Sequence, residues 1–432
     1  MTYSEAEEYL FGIPKFTSKN EPEKTKAFLE ELGDVSTLIP TVHVAGTNGK
    51  GSVCAYLRSA LMENGLKVGL FTSPHLVSTC ERFMIDNEMI AEREFVNVFS
   101  YIREELSEFR KKDGFSDYHP TFFEYLFFMA VVWFKEKRPD VIILETGLGG
   151  RLDATNSISS PKVSVITEIG LDHCEYLGNT KELIAGEKAG IIKAGVPIVH
   201  VSRNESWDKV IEDKALEMGS PSYAVSDSII KNLETSDAGI DFSMQSLYDG
   251  FVKISLNTKA FYQTENAAVA FRTLEVLSEL LPNKLSTKKC VDGLAKMVWP
   301  GRMEALSSGL IIDGAHNEDG IEAFLSSVSK DGKEKRVLLF GAVSDKNIEE
   351  VAKKIVSSRL FDEIYVTPLS SYRSADLERL SGAFGSGNVI PVSGVSEGIK
   401  SVLSKKAENT GLYAAGSLYL VGEIKALHDE GY

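Results

Sequence analysis

Cysteine is scarce in this chain of 432 residues. Its four cysteines lie far apart and form no C-x-x-C pair: Cys54, Cys80, Cys174 and Cys290. A disulfide framework needs densely and regularly spaced cysteines, and a structural zinc site needs closely paired ligands. The sequence therefore argues against both and predicts a protein of a reducing cytoplasm.

Long apolar runs are absent as well. The nearest candidate for a membrane span is FFEYLFFMAVVWF, which contains Glu124 and is shorter than the roughly 20 residues that a spanning helix requires. The first residues, MTYSEAEEYLFGIPKF, are acidic and mixed, unlike a signal peptide. We expect a soluble, cytoplasmic protein without a membrane partner.

Positive charge is the third deficit. Lysine and arginine number 47 against 62 aspartates and glutamates, so the formal net charge is -15. This balance disfavours nucleic acid and anionic membranes as partners, although a local basic pocket for a small anion stays compatible with it. The 43% of hydrophobic and 25% of charged residues are ordinary for a globular protein, and the length suggests two or three domains.

The chain alternates short β-branched runs with segments of helical periodicity, which predicts an α/β fold with a mostly parallel sheet. Residues 41–44, 68–71, 141–145, 163–167 and 197–201 are the predicted strands of the first domain. Short strands and turns between about 220 and 263 predict a small antiparallel annex on it. Trp299-Pro300-Gly301 then breaks a helical region, and a new α/β series opens at LIIDG. We therefore predict domains over 1–297 and 298–432.

The first candidate site is the stretch VHVAGTNGKGSVCAYL, which begins at Val42. It reads as a strand, a glycine-rich loop and a helix, and such an arrangement aims backbone N–H groups and a helix dipole at one point. Lys50 adds a charge and Ser52 a hydroxyl. The spacing departs from G-x-x-x-x-G-K-[ST], but its placement favours a phosphate cradle over a glycine turn with a surface lysine.

Three further side chains of the first domain are ambiguous when taken one at a time. Glu145 ends an apolar strand, which indicates either a Walker-B-type acid near magnesium or a carboxylate paired with Arg151. His173 follows another strand, and a structural histidine is the better interpretation of it in isolation. Lys188 stands beside Glu187 on a helical segment, where a solvated ion pair is the default.

The second domain has its candidates at strand ends, where α/β sheets bind ligands. Asp313, His316 and Asn317 follow LIIDG, and capping of the next helix is the alternative role for Asp313 or Asn317. Arg302 lies at the domain junction, where a guanidinium suits phosphate. Ser417 follows a later strand.

Taken together, the motifs resemble the folylpolyglutamate synthases, within the Mur-type ATP-dependent amide ligases. The resemblance covers most of the chain and rests on an ordered series: GTNGKGS, TSPHLVSTCERFMIDNEMI, TFFEYL, ETGLGGRLDATN, LDHCEYLG, EKAGI, ENAAVAF, PGRME, DGAHN and GSLYLVGE. It implies an N-terminal P-loop ATPase domain and a C-terminal Rossmann-like glutamate-ligase domain.

The resemblance also implies roles for particular residues. Its ATP contacts fall on Gly49, Lys50, Gly51, Ser52, Asn266, Arg302 and Asp313. Its magnesium ligands fall on Ser73, Glu145 and His173, and Lys188 matches a lysine that is carbamylated in the family and helps to hold a second metal. Incoming glutamate falls near His316 and Ser417, with His316 a candidate base, and the pterin near Phe122, Phe123 and Glu124.

The implied reaction is MgATP-driven addition of L-glutamate to the γ-carboxylate of a tetrahydrofolate through an acyl phosphate. A bifunctional enzyme that also joins glutamate to dihydropteroate is the nearest alternative, and a cell-wall Mur ligase fits the motifs less well. A P-loop nucleotide switch is disfavoured because the sequence has no guanine-reading N-K-x-D segment. The implied partners are folate, L-glutamate and ATP, and we expect a monomer.

Overall fold

The computed structural model describes residues 1–13, 20–236, 238–344, 346–371, 373–385 and 389–429. Over this part of the chain the backbone separates into two compact units. The first comprises Met1–Leu233, Asp241–Leu256 and Glu265–Met297, and the second comprises Glu234–Ile240, Asn257–Thr264 and Val298–Tyr432.

Strands and helices alternate through the first part of the chain. In order, the elements are α1 (Tyr3–Gly12), α2 (Pro22–Leu32), β1 (Thr41–Ala45), α3 (Lys50–Glu63), β2 (Val68–Phe71), β3 (Phe83–Ile85), β4 (Glu88–Met89), α4 (Glu92–Phe109), α5 (Phe122–Lys137), β5 (Val141–Glu145), β6 (Val163–Ile166), α6 (Cys174–Leu177), α7 (Lys181–Ala189), β7 (Ile198–Val201), α8 (Ser206–Glu217), β8 (Ser222–Val225), β9 (Ile230–Ser236), β10 (Gly239–Gln245), β11 (Phe251–Leu256), α9 (Gln263–Leu280) and α10 (Thr287–Ala295).

The main sheet of the first unit confirms the predicted α/β class. Its strand order is β4-β3-β2-β5-β1-β6-β7-β8, and the strands from β2 to β8 in that order run parallel. Strands β3 and β4 add an antiparallel edge. Because parallel strands end at the same edge of a sheet, the segments that follow β1, β2, β5 and β6 lie side by side.

The predicted annex differs from the observed one at its start. Residues 222–225 form β8, which pairs in parallel with β7 and so extends the main sheet. The separate small sheet, in the order β11-β10-β9, begins only at Ile230. Short strands bounded by turns look alike in sequence, and β8 joins the main sheet through pairing with a strand some 20 residues earlier, which no local pattern encodes.

The apolar run of α5 is a core helix. Its residues are buried on nearly every face, and they pack with α1, α2, α4 and strands β2 and β5 around an aromatic cluster that includes Phe28, Phe71 and Phe99. A helix that is apolar all round needs such cover. In the described part of the chain, no helix combines the length and apolar character needed to cross a membrane.

The second unit is built on its own sheet. Its elements are β12 (Glu304–Ala305), β13 (Leu310–Ile312), α11 (Glu318–Val328), β14 (Lys335–Phe340), α12 (Ile348–Ser358), β15 (Glu363–Val366), α13 (Leu377–Ala383), β16 (Val389–Pro391), α14 (Val395–Leu403), β17 (Thr410–Ala415) and α15 (Leu418–Asp429). The strand order is β12-β13-β17-β14-β15-β16, parallel from β13 onward. This confirms a second α/β domain fold and places the segments after β13 and β17 next to each other.

Candidate active site

The glycine-rich loop connects β1 to α3, as predicted. Gly49 caps the helix with a φ of 88°, and α3 starts at Lys50. The first turn therefore leaves backbone N–H groups without partners inside the helix, as a phosphate site requires. Gly46 has a φ of 152°, and a Cβ there would lie 1.8 Å from Thr167 Oγ1, so only glycine fits.

The segment after β6 holds the loop from its other side. Thr167 Oγ1 donates to the carbonyl oxygen of Asn48 at 2.6 Å, and the N–H of Thr47 donates to the carbonyl of Glu168 at 2.8 Å. Asn266 also touches the loop, because a Cβ on Gly49 would lie 2.3 Å from its Oδ1. Thr167 belongs to no recognisable sequence motif, so its contact with the loop becomes visible only in the fold.

Two lysines donate to one oxygen of this loop. The carbonyl of Gly46 accepts from Lys50 Nζ at 3.0 Å and from Lys188 Nζ at 2.7 Å. Lys188 is only 3% exposed, and burial, followed by the charge of Lys50, lowers the pKa of its amine to about 7. The default of a solvated pair between Lys188 and Glu187 is therefore wrong.

Arg151, and not Lys188, forms the ion pair with Glu187. Its Nη2 lies 2.8 Å from Glu187 Oε1 in a surface ion pair. Glu145 is 3% exposed at the end of β5, and its Oε2 accepts the N–H of Ser73 at 3.0 Å. The structure thus joins two of the residues implied for magnesium at the edge beside the nucleotide loop.

His173 follows β6 along the same edge. It caps the short helix α6 with a φ of 52°, and its N–H donates to Asp172 Oδ1 at 2.9 Å. Its side chain is 38% exposed, so it is not a core histidine. The charge of Asp172 partly opposes the lowering of the Lys188 pKa by burial, so this segment lies close to the buried amine.

The donor set at this edge suits magnesium. No cluster of three or more histidine, cysteine, aspartate or glutamate side chains occurs among the residues that the structure describes. Magnesium keeps several waters and binds proteins through one or two carboxylates, usually together with substrate phosphates. The buried carboxylate of Glu145 and the hydroxyl of Ser73 are too few to form an all-protein cage, but they suit magnesium, which needs only one or two protein oxygens. His173 supplies a weaker nitrogen donor.

The start of α5 lies against the segment after β5. The ring of Phe123 would clash with a Cβ on Gly147 at 2.7 Å, and Phe122 stacks on Phe11 with ring centroids 5.7 Å apart. Glu124 is buried, and its carboxylate completes a capping box with Thr121. The same carboxylate accepts hydrogen bonds from Asn20 at 2.7 Å and Thr25 at 2.5 Å.

Asp153 orders that segment, although its place in the sequence predicts no such role. Its Oδ2 accepts the N–H groups of Gly147 and Leu148 at 2.9 and 2.8 Å. Its Oδ1 accepts from Thr155 Oγ1, which also contacts His43 Nε2 at 2.7 Å. The only signal was an acid a few residues after consecutive glycines, a pattern typical of many turns.

In the second unit, Asp313 is a buried hub after β13. Its Oδ2 accepts from Tyr262 Oη at 2.6 Å and from the N–H of Met303 at 2.9 Å, and its Oδ1 accepts the N–H of Ala315 at 2.8 Å. Burial raises the pKa of this carboxyl, and the charge of Arg302 opposes that shift. A Cβ on Gly314 would meet Arg302 Nη1 at 2.7 Å, so the guanidinium lies directly on this turn.

His316 and Ser417 lie on hydrogen-bonded neighbouring segments. His316 Nδ1 contacts the carbonyl of Gly314 at 2.8 Å, and the N–H of Gly416 donates to the carbonyl of Ala315 at 2.9 Å. Ser417 is buried and accepts the N–H of Tyr419 at 3.0 Å. The capping alternative holds for Asn317, whose side chain caps α11.

Comparisons with known proteins identify the family of this chain. Residues 44–274 match the Mur ligase middle domain, and residues 301–418 match the Mur ligase glutamate ligase domain. A Bacillus subtilis dihydrofolate synthase/folylpolyglutamate synthase is 33% identical, over 98% of this chain and 98% of the relative. A Lacticaseibacillus casei folylpolyglutamate synthase is 31% identical, over 85% of this chain and 86% of the relative.

Solved structures show the same likeness over the whole chain. The E. coli FolC in complex with DHPP and ADP has a TM-score of 0.86 at 30% identity, covering 100% of this chain and 98% of the other. The Mycobacterium tuberculosis folylpolyglutamate synthase complexed with ADP and AMPPCP has a TM-score of 0.88 at 27% identity, covering 98% of each. The chain therefore belongs to the Mur ligase family of ATP-dependent ligases, in the branch of the folylpolyglutamate and dihydrofolate synthases.

Proposed function

We propose that this chain uses ATP to add L-glutamate to the γ-carboxylate of a tetrahydrofolate or of its polyglutamates. The γ-carboxylate attacks the γ-phosphate of ATP, which gives an acyl phosphate and ADP. The amine of glutamate then attacks the acyl carbon, phosphate leaves, and the amine loses a proton as the amide forms. The observation that carries the proposal is the nucleotide loop with Lys50 and Lys188 on one carbonyl.

Residues 1–297 are proposed as the ATP-binding domain. Gly49, Lys50, Gly51 and Ser52 bind the phosphates through helix N–H groups, one ammonium and one hydroxyl, and Asn266 contacts the nucleotide from its place against Gly49. Phosphoryl transfer depends mainly on alignment and charge neutralisation, which this loop provides. Magnesium, held by Ser73, Glu145 and His173, supplies further neutralisation of the phosphates when bound.

Lys188 is proposed to carry a carbamate. Its amine attacks carbon dioxide, a C–N bond forms, and a proton leaves nitrogen, so that an ammonium is replaced by a carboxylate. Only the neutral amine is a nucleophile, and burial keeps a large share of it neutral near pH 7. The resulting carboxylate is the kind of oxygen donor that a second magnesium prefers.

Residues 298–432 are proposed as the glutamate-ligase domain. Arg302 and Asp313 contribute to nucleotide binding, with Asp313 fixed by three donors. His316 and Ser417 are proposed to bind the incoming glutamate from adjoining segments, and His316 is the candidate to accept the proton of its amine. Proposed pterin contacts are Phe122 and Phe123, with Glu124 serving that side by holding the start of α5.

One assay tests the assignment. The protein is incubated with MgATP, L-glutamate and either tetrahydrofolate or dihydropteroate, and the products are weighed by mass spectrometry. Extension of tetrahydrofolate supports the proposal, and extension of neither pterin rejects it. ATP hydrolysis at a rate that neither pterin changes would instead support a nucleotide switch.

A bifunctional enzyme is the second candidate, because the Bacillus subtilis relative is named for both activities. Extension of both pterins in the same assay would establish it. The proposal also includes a cytoplasmic, monomeric protein; cell fractionation and light scattering test these two points.

A further inference from the structure

A second cluster of charged side chains stands behind the nucleotide loop, and none of the roles above uses it. Arg203 Nη2 lies 3.0 Å from Glu168 Oε2 and 2.5 Å from Glu265 Oε2, and Nη1 lies 3.3 Å from Asp227 Oδ1. The side chains of Glu168 and Glu265 are 23% and 18% exposed, whereas that of Asp227 is 86% exposed. We call Glu168 and Glu265 the carboxyl pair.

Both members of the carboxyl pair stand next to contacts of the nucleotide loop. The carbonyl of Glu168 accepts the N–H of Thr47, and Thr167 holds Asn48. Glu265 directly precedes Asn266, whose amide lies on Gly49. A change in the spacing of the carboxyl pair would therefore be transmitted to both sides of the loop.

Both carboxyl groups contact the same nitrogen, Arg203 Nη2, so their Oε2 atoms lie close together. Two carboxylates this close and partly shielded from water repel each other when both are ionised, and a proton on one of them removes that repulsion. With that proton, Arg203 faces one charged member of the carboxyl pair and the exposed Asp227. Without that proton, the guanidinium of Arg203 faces three carboxylates, and the two members of the carboxyl pair repel each other.

We propose that Glu168, Glu265 and Arg203 position the nucleotide loop, and that the proton shared by the carboxyl pair keeps the loop in its ATP-binding geometry. These are positioning residues, since they act through Thr47 and Asn266. The inference rests on the nucleotide site of the proposed function and adds a pH-sensitive element to it.

The charges around Glu265 support this assignment. Burial, then the charge of Glu168, raises the pKa of Glu265 to about 8, and Arg203 opposes the shift. The charged groups that face it come from the segment after β6 (Glu168), the segment after β7 (Arg203) and the turn before β9 (Asp227). As the pH rises through this value the carboxyl pair loses its proton, and we expect nucleotide affinity to fall.

The test is binding of MgADP to the full chain, measured by calorimetry at about pH 7 and about pH 9 without folate or glutamate. We expect the Kd of the natural protein to rise about fivefold between the two pH values. Glu265→Gln keeps the shape of the side chain and cannot ionise, so its Kd should rise less than that of the natural protein. Glu168→Gln removes the repelling charge, and its Kd should also rise less than that of the natural protein.

Effects of pH that all variants share, including those on ADP and on Lys188, cancel when the variants are compared. Glu275→Gln is the matched control, because Glu275 is another buried glutamate of α9 that pairs with an arginine, Arg272, 2.9 Å away. It should keep the natural pH dependence. A natural protein whose Kd does not change with pH, or a Glu265→Gln variant whose Kd rises as much as that of the natural protein, overturns the inference. The binding measurement contains no folate, so its outcome does not depend on whether the protein extends folate in the assay of the proposed function.

Discussion

Lys50 and Lys188 donate hydrogen bonds to the same carbonyl oxygen, that of Gly46, although they stand 138 positions apart in the sequence. Lys50 belongs to the helix that opens the nucleotide site, and Lys188 approaches from the buried end of α7. Burial, followed by the charge of Lys50 at the same oxygen, lowers the pKa of Lys188.

Replacing Lys50 with alanine should lower kcat/KM by about a thousandfold, because the ammonium neutralises charge that develops on the transferred phosphoryl group. Glutamate-dependent ADP release checks this, with circular dichroism as evidence of an intact fold. Lys135→Ala, which removes another lysine bonded to a backbone carbonyl, should retain activity. Near-normal turnover in Lys50→Ala would contradict the assignment of the loop.

Removing carbon dioxide should lower turnover if Lys188 carries a carbamate, and added bicarbonate should restore it. The requirement should be steeper below pH 7 than above it, since the amine is then mostly protonated. Lys193→Ala is the matched control: the pKa of this half-buried lysine is also lowered, to about 8, and its amine bonds Asn156. It should remain sensitive to bicarbonate, whereas Lys188→Ala should be inactive at every bicarbonate concentration.

Lys188 should also make stability depend on pH in the unmodified protein. Its pKa is lowered to about 7 in the folded chain from 10.5, so the unfolded chain binds more protons between these values. The free energy of unfolding should therefore rise with pH across that window, and the rise should be absent in Lys188→Met. Denaturant titrations at several pH values, in buffer free of carbon dioxide, measure both slopes. Equal slopes in the two proteins would count against a buried amine.

Gly46→Ala should destabilise the protein by about 2–3 kcal/mol and abolish ATP binding, because the added Cβ collides with Thr167 Oγ1. Gly65→Ala is the control for backbone strain alone, since Gly65 has a φ of 89° and open space around it. It should cost about 1 kcal/mol and leave binding intact. Thermal unfolding and calorimetry distinguish the two variants, and equal losses would argue against a steric requirement at Gly46.

Glu124→Ala should lower stability by about 2 kcal/mol, because it leaves the start of α5 and the buried Thr25 hydroxyl without their acceptor. We expect the KM for folate to rise only together with this loss of stability, since Glu124 acts on the pterin side by holding the start of the helix that carries Phe122 and Phe123. Glu108→Ala, at a 69% exposed position, should leave stability unchanged. A large rise in the KM for folate with unaltered stability would assign Glu124 to the substrate instead.

The sequence by itself predicted the features that depend on local order. The loop around Gly49 was predictable from a few consecutive residues: an apolar run, a cluster of glycines and a lysine at the start of a helix. These residues create phosphate-binding N–H groups through local backbone structure, whatever the rest of the fold. The strand that ends at Glu145 and the turn at Asp313 were predictable for the same reason, and so was the α/β class.

Only the tertiary structure decided which side chains lose water and which partners they meet. Lys188 beside Glu187 is typical of a solvated pair, yet folding buries the lysine on Gly46 and leaves the glutamate to Arg151. Glu168, Arg203 and Glu265 show no motif, and they meet because β6, β7 and α9 bring them together. Burial and charge proximity arise between residues distant along the chain, whereas a sequence pattern records only neighbours; the chemistry of the buried amine and of the carboxyl pair therefore emerged with the fold.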